Sequence, residues 1–255
     1  MKQNERRLFL IKYLLKDMKH FDITVSFKEN EQKSLLRSLM NIRLAKPVSK
    51  EFITVQDEYL KEEIKSKGIV YADTIPIIKD RMCIWKGDIT HLNCGAIVNA
   101  ANSAMLGCFV PCHKCIDNAI HTFSGVQLRL ECDEIMRKQG HEEKTGNAKI
   151  TKAYNLPCDY IIHTVGPIIY DRLTDKDCDL LASCYRECIK LADKNNIKSI
   201  AFCCISTGEF HFPNEKAAEI AIDTVKSVIK NTGIERVIFN VFKDNDKRIY
   251  EGLLK

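Results

Sequence analysis

MCIWKGDITHLNCGAIVNAAN, residues 82–102, holds two short apolar runs, Met82–Trp85 and Ala96–Asn99, each followed closely by glycine or small residues and then a polar one. Neither run alternates apolar with polar, so each suits a strand buried on both faces, as in a largely parallel sheet. Similar runs recur at Tyr160–Val165, Ser199–Ile205 and Arg236–Phe242. Helical patterns lie between them, from Asp117 to about Gln139, from Cys178 to about Asn195, and from Glu215 to Lys230 with Asn214 as N-cap. This alternation predicts an α/β fold of three layers, α/β/α, with helices on both faces of the sheet.

Upstream the pattern changes. Leu8, Ile11, Leu15, Met18 and Phe21 recur at helical intervals, and Leu35, Leu36, Leu39 and Met40 form a second stripe ended by Pro47. Ser49 is placed to cap a third helix carrying Phe52, Val55, Tyr59 and Ile64, which Gly68 closes. Residues 1–75 therefore read as a helical extension and residues 76–255 as the α/β domain. The extension shows no chemistry of its own. It is read as packing on the main domain, with a docking surface as the alternative.

Composition narrows the function. The chain has 255 residues, of which 45% are apolar and 29% charged, the balance of a folded chain with a core. The net charge of +5 is spread along the sequence, so no nucleic-acid partner is expected. No apolar run approaches the length of a transmembrane helix, so no membrane partner is expected either. The twelve cysteines stand out. Leu8-Phe9-Leu10-Ile11 is too short for a secretory signal, and Lys12 interrupts it. The thiols are thus expected in a reducing, cytoplasmic setting, where clustered cysteines point to metal or catalysis.

Polar residues gather where the strands end. Gly87-Asp88-Ile89-Thr90, Ala100-Ala101-Asn102 and Ser206-Thr207-Gly208-Glu209-Phe210 each follow a strand, and ligands of open α/β sheets bind outside the strand carboxyl ends. The densest cluster is Gly107-Cys108-Phe109-Val110-Pro111-Cys112-His113-Lys114-Cys115, with three cysteines and a histidine inside eight residues. Thiolate and imidazole are preferred zinc ligands. Cys108, His113 and Cys115 leave one tetrahedral position open, as a catalytic site requires; adding Cys112 would close the site and make it structural. The bland reading is a set of buried thiols.

Four blocks, Gly87-Asp88-Ile89-Thr90, Ile97-Val98-Asn99-Ala100-Ala101-Asn102, Ile116-Asp117-Asn118-Ala119-Ile120-His121 and Ile205-Ser206-Thr207-Gly208, occur in the order and spacing of macrodomains. With the cysteine insertion the chain resembles the zinc-dependent macrodomains of bacteria and some fungi, which remove ADP-ribose from proteins. Leu39-Met40-Asn41-Ile42-Arg43 is similar to the helical extension of that branch. The resemblance implies a mixed, largely parallel sheet and one Zn2+ per chain on Cys108, His113 and Cys115. It implies that Asp88 accepts from the adenine amino group beside the Ile89 backbone, and that Asn102 holds the distal ribose. Ser206, Thr207, Gly208, Glu209 and Phe210 would surround the phosphates and Phe242 would pack near the adenine. Asp117 would face the substrate, as base or ribose anchor, making Asn102 and Asp117 the catalytic candidates.

The implied partners are ADP-ribose and mono-ADP-ribosylated protein; the oligomeric state is left open. Three alternatives stand beside hydrolysis. They are a reader that binds ADP-ribose without cleaving it, a deacetylase of free O-acetyl-ADP-ribose, and a non-enzymatic module with a closed four-ligand zinc site. Among the remaining residues, Asn99, His121, His163 and His211 read as structural, Cys203 and Cys204 as core, and Cys178, Cys184 and Cys188 as unmetallated thiols.

Overall fold

The computed structural model describes residues 1–19 and 23–255. Its nine strands are β1 (Val70–Tyr71), β2 (Ile77–Lys79), β3 (Met82–Lys86), β4 (Leu92–Asn93), β5 (Ala96–Ala101), β6 (Ala148–Lys152), β7 (Tyr160–Val165), β8 (Ser199–Phe202) and β9 (Arg236–Val241). Seven form one sheet in the order β2-β3-β9-β8-β5-β7-β6; β1 and β4 pair separately. The five inner strands are parallel, and only the edge pairs β2–β3 and β6–β7 are antiparallel. All five parallel strands therefore end on one side of the molecule.

Among the described residues the α-helices are α1 (Gln3–Asp17), α2 (Glu29–Ile42), α3 (Lys50–Ser66), α4 (Ile116–Ser124), α5 (Val126–Gln139), α6 (Asp175–Lys194), α7 (Asn214–Ile229) and α8 (Asp244–Leu254). α6 packs on β6 and β7, α8 on β3 and β9, and α7 between these two helices; α4 and α5 cover β5 and β6. Covered on both faces, the inner strands are mostly apolar: Ile97, Val98, Ile161, Ile162, Ile200, Ala201, Val237 and Ile238 have no exposed surface.

α1, α2 and α3 enclose an apolar cluster of their own around Leu10, Leu14, Leu36, Phe52 and Leu60, which Val126 of α5 joins. α2 and α3 also pack on α4. In α1 the buried face runs through Arg7, Leu10, Ile11, Leu14 and Leu15, rotated from the stripe read through Leu8 and Met18. Arg7 is buried because its guanidinium donates to Gln32 and Glu29 on α2. Phe21 lies outside the described residues. Ser49 caps α3 by accepting from the Phe52 amide.

Four expectations are corrected. The helix read from Asp117 to about Gln139 is two helices, broken at Gly125, whose φ of +98° ends α4. Asn214 is the first residue of α7 rather than its cap; its carboxamide donates to Asp246 on α8. The strand at Ser199 stops at Phe202, because the chain leaves the sheet to build the loop that follows. The last strand stops at Val241, leaving Phe242 72% exposed at its end.

Candidate functional site

The strand order sets the layout of the cleft. β3 and β9 run in register with Lys86 opposite Val241, so Asp88 and Phe242 leave the sheet side by side. β5 and β7 pair Ala101 with Val165, so Asn102 and Gly166 also emerge together. β8 lies between β9 and β5, and its loop, residues 203–212, separates the two sets. Three stations thus follow one another along the carboxyl edge.

At the first, the Asp88 Oδ1 accepts from the Thr90 amide at 3.0 Å and the Thr90 hydroxyl at 2.7 Å. The carboxylate is pinned through one oxygen, and the other, 3.9 Å from His91 Nε2, keeps capacity for a further donor. Ile89 is buried behind it. At the second, Ser206 has a positive φ of 64° and the Phe212 amide returns to its carbonyl at 2.9 Å. The Thr207 amide and hydroxyl both turn back to the Cys204 carbonyl. The amides of Gly208, Glu209 and Phe210 have no acceptor among the described residues, which leaves them free for an anion. The buried Ser206 hydroxyl is likewise without a partner there. A Cβ on Gly166 would stand 2.1 Å from that hydroxyl, so only glycine fits at this position.

The third station holds the cysteines. Cys108, His113 and Cys115 bring their ligand atoms within 4.8 Å of one another. Cys108 Sγ lies 3.6 Å from His113 Nδ1; a thiolate and an imidazole on one tetrahedral zinc stand about 3.6 Å apart, from metal–ligand bonds of about 2.3 and 2.05 Å. Cys112 is turned away, with its thiol against the Ser38 hydroxyl (3.2 Å) and the Ser34 carbonyl (3.4 Å) of α2. The three-ligand set is the one the geometry assembles. Burial, with the nearby Cys108 and Asp117, pushes the Cys115 thiol up to about 12 although the Asn118 amide donates to it. A dication beside it would favour the thiolate. Across the cleft, the Glu209 carboxylate is 3.7 Å from His113 Nε2, so the second and third stations meet.

Asp117, in the first turn of α4, is 5% exposed. It accepts from Asn99 Nδ2 at 2.8 Å and from Asn102 Nδ2 at 3.4 Å. Burial raises its carboxyl to about 6, opposed by the Asn99 bond and the Arg129 charge. Asn102 also donates to the Gly107 carbonyl and accepts from the Ala104 amide, which fixes the turn leading to the cluster.

A family model for the Macro domain matches residues 98–221. The whole chain is 55% identical, over all of both sequences, to a protein of Treponema medium named protein-ADP-ribose hydrolase. The chain belongs to the macro domain family. A second protein of that name, from Staphylococcus aureus, is 49% identical over 98% of this chain and 96% of its own length. The Trypanosoma brucei macrodomain solved in complex with ADP-ribose aligns with 86% of this chain and 95% of its own at a TM-score of 0.68 and 28% identity.

Several residues around the macro domain cleft were assigned no part in the site from the sequence. Arg129 donates to the carbonyls of Leu106, Met40 and Arg43 and lies 4.4 Å over the Phe109 ring. Asn118 donates to the carbonyls of Val110 and Cys108. His121, Cys132 and His163 form a second, fully buried group. His163 is held by Asn99 and Thr151 at 3.1 and 2.9 Å. A separate groove of about 390 Å³ opens at the opposite ends of the strands, lined by Tyr71, Asn93, Asp159, Tyr160 and Lys198. It holds none of the candidate site residues described above.

Proposed function

We propose that the chain is a zinc-dependent hydrolase that removes mono-ADP-ribose from modified protein side chains. The observation that carries this reading is the juxtaposition of Cys108, His113 and Cys115 with Asp117, at one end of a cleft whose other end holds Asp88 and Phe242. The relatives named protein-ADP-ribose hydrolase and the relative solved with ADP-ribose support it.

The three stations follow the order of the parts of ADP-ribose. The free Asp88 oxygen accepts from the adenine amino group while the exposed Phe242 ring packs beside it. The amides of Gly208, Glu209 and Phe210 donate to the phosphates, and Ser206 and Thr207 shape their loop. Asn102 positions the distal ribose. Cys108, His113 and Cys115 would hold a zinc ion, which would supply a Lewis acid beside that ribose. Asp117, raised toward neutral pH by burial, orients the attacking water and takes its proton. Asn99 holds the carboxylate in place for that step. Glu209 faces the outer nitrogen of His113, the placement that carboxylates take behind metal-bound imidazoles.

Native mass spectrometry tests the ligand set. The wild-type chain is expected to carry one zinc, and Cys115→Ala to lose it while still binding ADP-ribose. A full zinc complement in Cys115→Ala would contradict the assignment.

A further inference from the structure

We propose that α2 is a working part of the metal site: Arg37, Ser38 and Asn41 hold the ligand loop in its metal-binding shape. The inference rests on the zinc reading above and gives the helical extension a role in it.

The loop from Cys108 to Cys115 has no regular secondary structure, so its form depends on what it touches. Arg37 spans it from outside. Its Nη2 donates to the carbonyl of His113, one of the ligands, at 3.0 Å, and to Asn118 Oδ1 at 2.8 Å; Nε reaches the same Asn118 oxygen at 3.1 Å. Asn118 passes this hold inward, donating from Nδ2 to the carbonyl of Val110 at 3.0 Å and of Cys108, a second ligand, at 3.4 Å. One turn along α2, the fully buried Asn41 accepts from the Cys112 amide at 2.9 Å and donates to Thr122 of α4 at 2.9 Å. Ser38 meets the Cys112 thiol. Cys112 has a φ of +53°, a conformation that non-glycine residues keep only where their surroundings impose it. Here α2 supplies those surroundings. The extra cysteine is thus an anchor point for the loop.

A metal gains affinity when its ligands are already arranged, because less freedom is lost on binding. Arg37 is a positioning residue in this sense. Its charge works the other way, since a cation near a dication weakens binding. The two effects differ in sign, which makes the role separable from electrostatics.

The experiment uses the full chain, stripped of metal, and titrates zinc against a chromogenic chelator for wild type, Arg37→Met, Arg37→Lys and Asn41→Ala. Thermal melting of the metal-free proteins and their ADP-ribose affinity are followed in parallel. Arg37→Met and Asn41→Ala are expected to bind zinc about 10- to 100-fold more weakly, with ADP-ribose affinity kept. Arg37→Lys, which keeps the charge but loses the planar fork, is expected to be as weak as Arg37→Met. Should the buried Asn41→Ala variant not fold, the half-buried Arg37 variants carry the test. Zinc binding equal to or tighter than wild type in folded Arg37→Met would overturn the proposal. Wild type that takes up no zinc would remove the zinc reading itself, before any variant is compared.

Discussion

Asn99 Nδ2 donates to Asp117 Oδ1 across 2.8 Å, and both side chains are buried. Asn99 sits on β5 and Asp117 opens α4 two residues after Cys115, so the bond ties the carboxylate to the sheet as well as to its own helix. Asp117→Asn keeps the shape and removes the proton acceptor. Single-turnover release of ADP-ribose by this variant is expected to fall by about 10²–10⁴-fold, with ADP-ribose affinity retained by calorimetry. Full turnover would take Asp117 out of the mechanism.

Asp88 offers one carboxylate oxygen to Thr90 and the other to the cleft. Asp88→Ala is expected to weaken ADP-ribose binding by about 10- to 100-fold, the loss of one hydrogen bond to a charged group. Calorimetric titration measures it. Unchanged affinity would make Asp88 a turn residue only.

The five inner strands were legible because burial on both faces makes them largely apolar, with only a few buried polar residues such as Asn99 and His163. The edges were harder. β2 is three residues long with every side chain exposed, and β6 has only Thr151 buried. α8 was missed because its first turns are Asp244, Asn245, Asp246, Lys247 and Arg248, and it buries only Asp246, Tyr250 and Leu254. Cys108, His113 and Cys115 announced themselves through local spacing. Arg37 and Asn118 are 81 residues apart in sequence, and no local pattern encodes such a contact. The break at Gly125 was hidden because glycine inside a helical pattern gives no sign of the φ it adopts.

That break has a cost when altered. A Cβ at residue 125 would meet Gln56 Nε2 at 2.6 Å, Gln127 Oε1 at 2.7 Å and Asn155 Nδ2 at 3.0 Å. These groups join α3 to the main domain, with the Val126 amide donating to Gln56. Gly125→Ala is expected to lower unfolding free energy by about 1–3 kcal/mol, read from urea denaturation. Wild-type stability would show that the junction tolerates the change.

His163 links stability to pH. Burial holds its imidazole down at about 3, far below the ordinary value near 6.5. The unfolded chain takes up a proton below about pH 6.5 and the folded chain does not until about pH 3, so this residue's contribution is complete above 6.5 and lost as pH falls toward 3. Between pH 7 and 5 the loss is about 2 kcal/mol. His163→Gln is expected to flatten the denaturation midpoint across that window relative to wild type. An equally steep decline in the variant would place the sensitivity elsewhere.

The central claim is tested most directly by following release of ADP-ribose from a mono-ADP-ribosylated protein by the full chain, as purified, after chelation, and after zinc is returned. The expected result is release that stops with chelator and resumes with zinc, while the chain stays folded by circular dichroism. No release by the zinc-loaded chain on a broad panel of modified proteins, with ADP-ribose binding intact, would contradict the claim and leave a binding module with a structural metal.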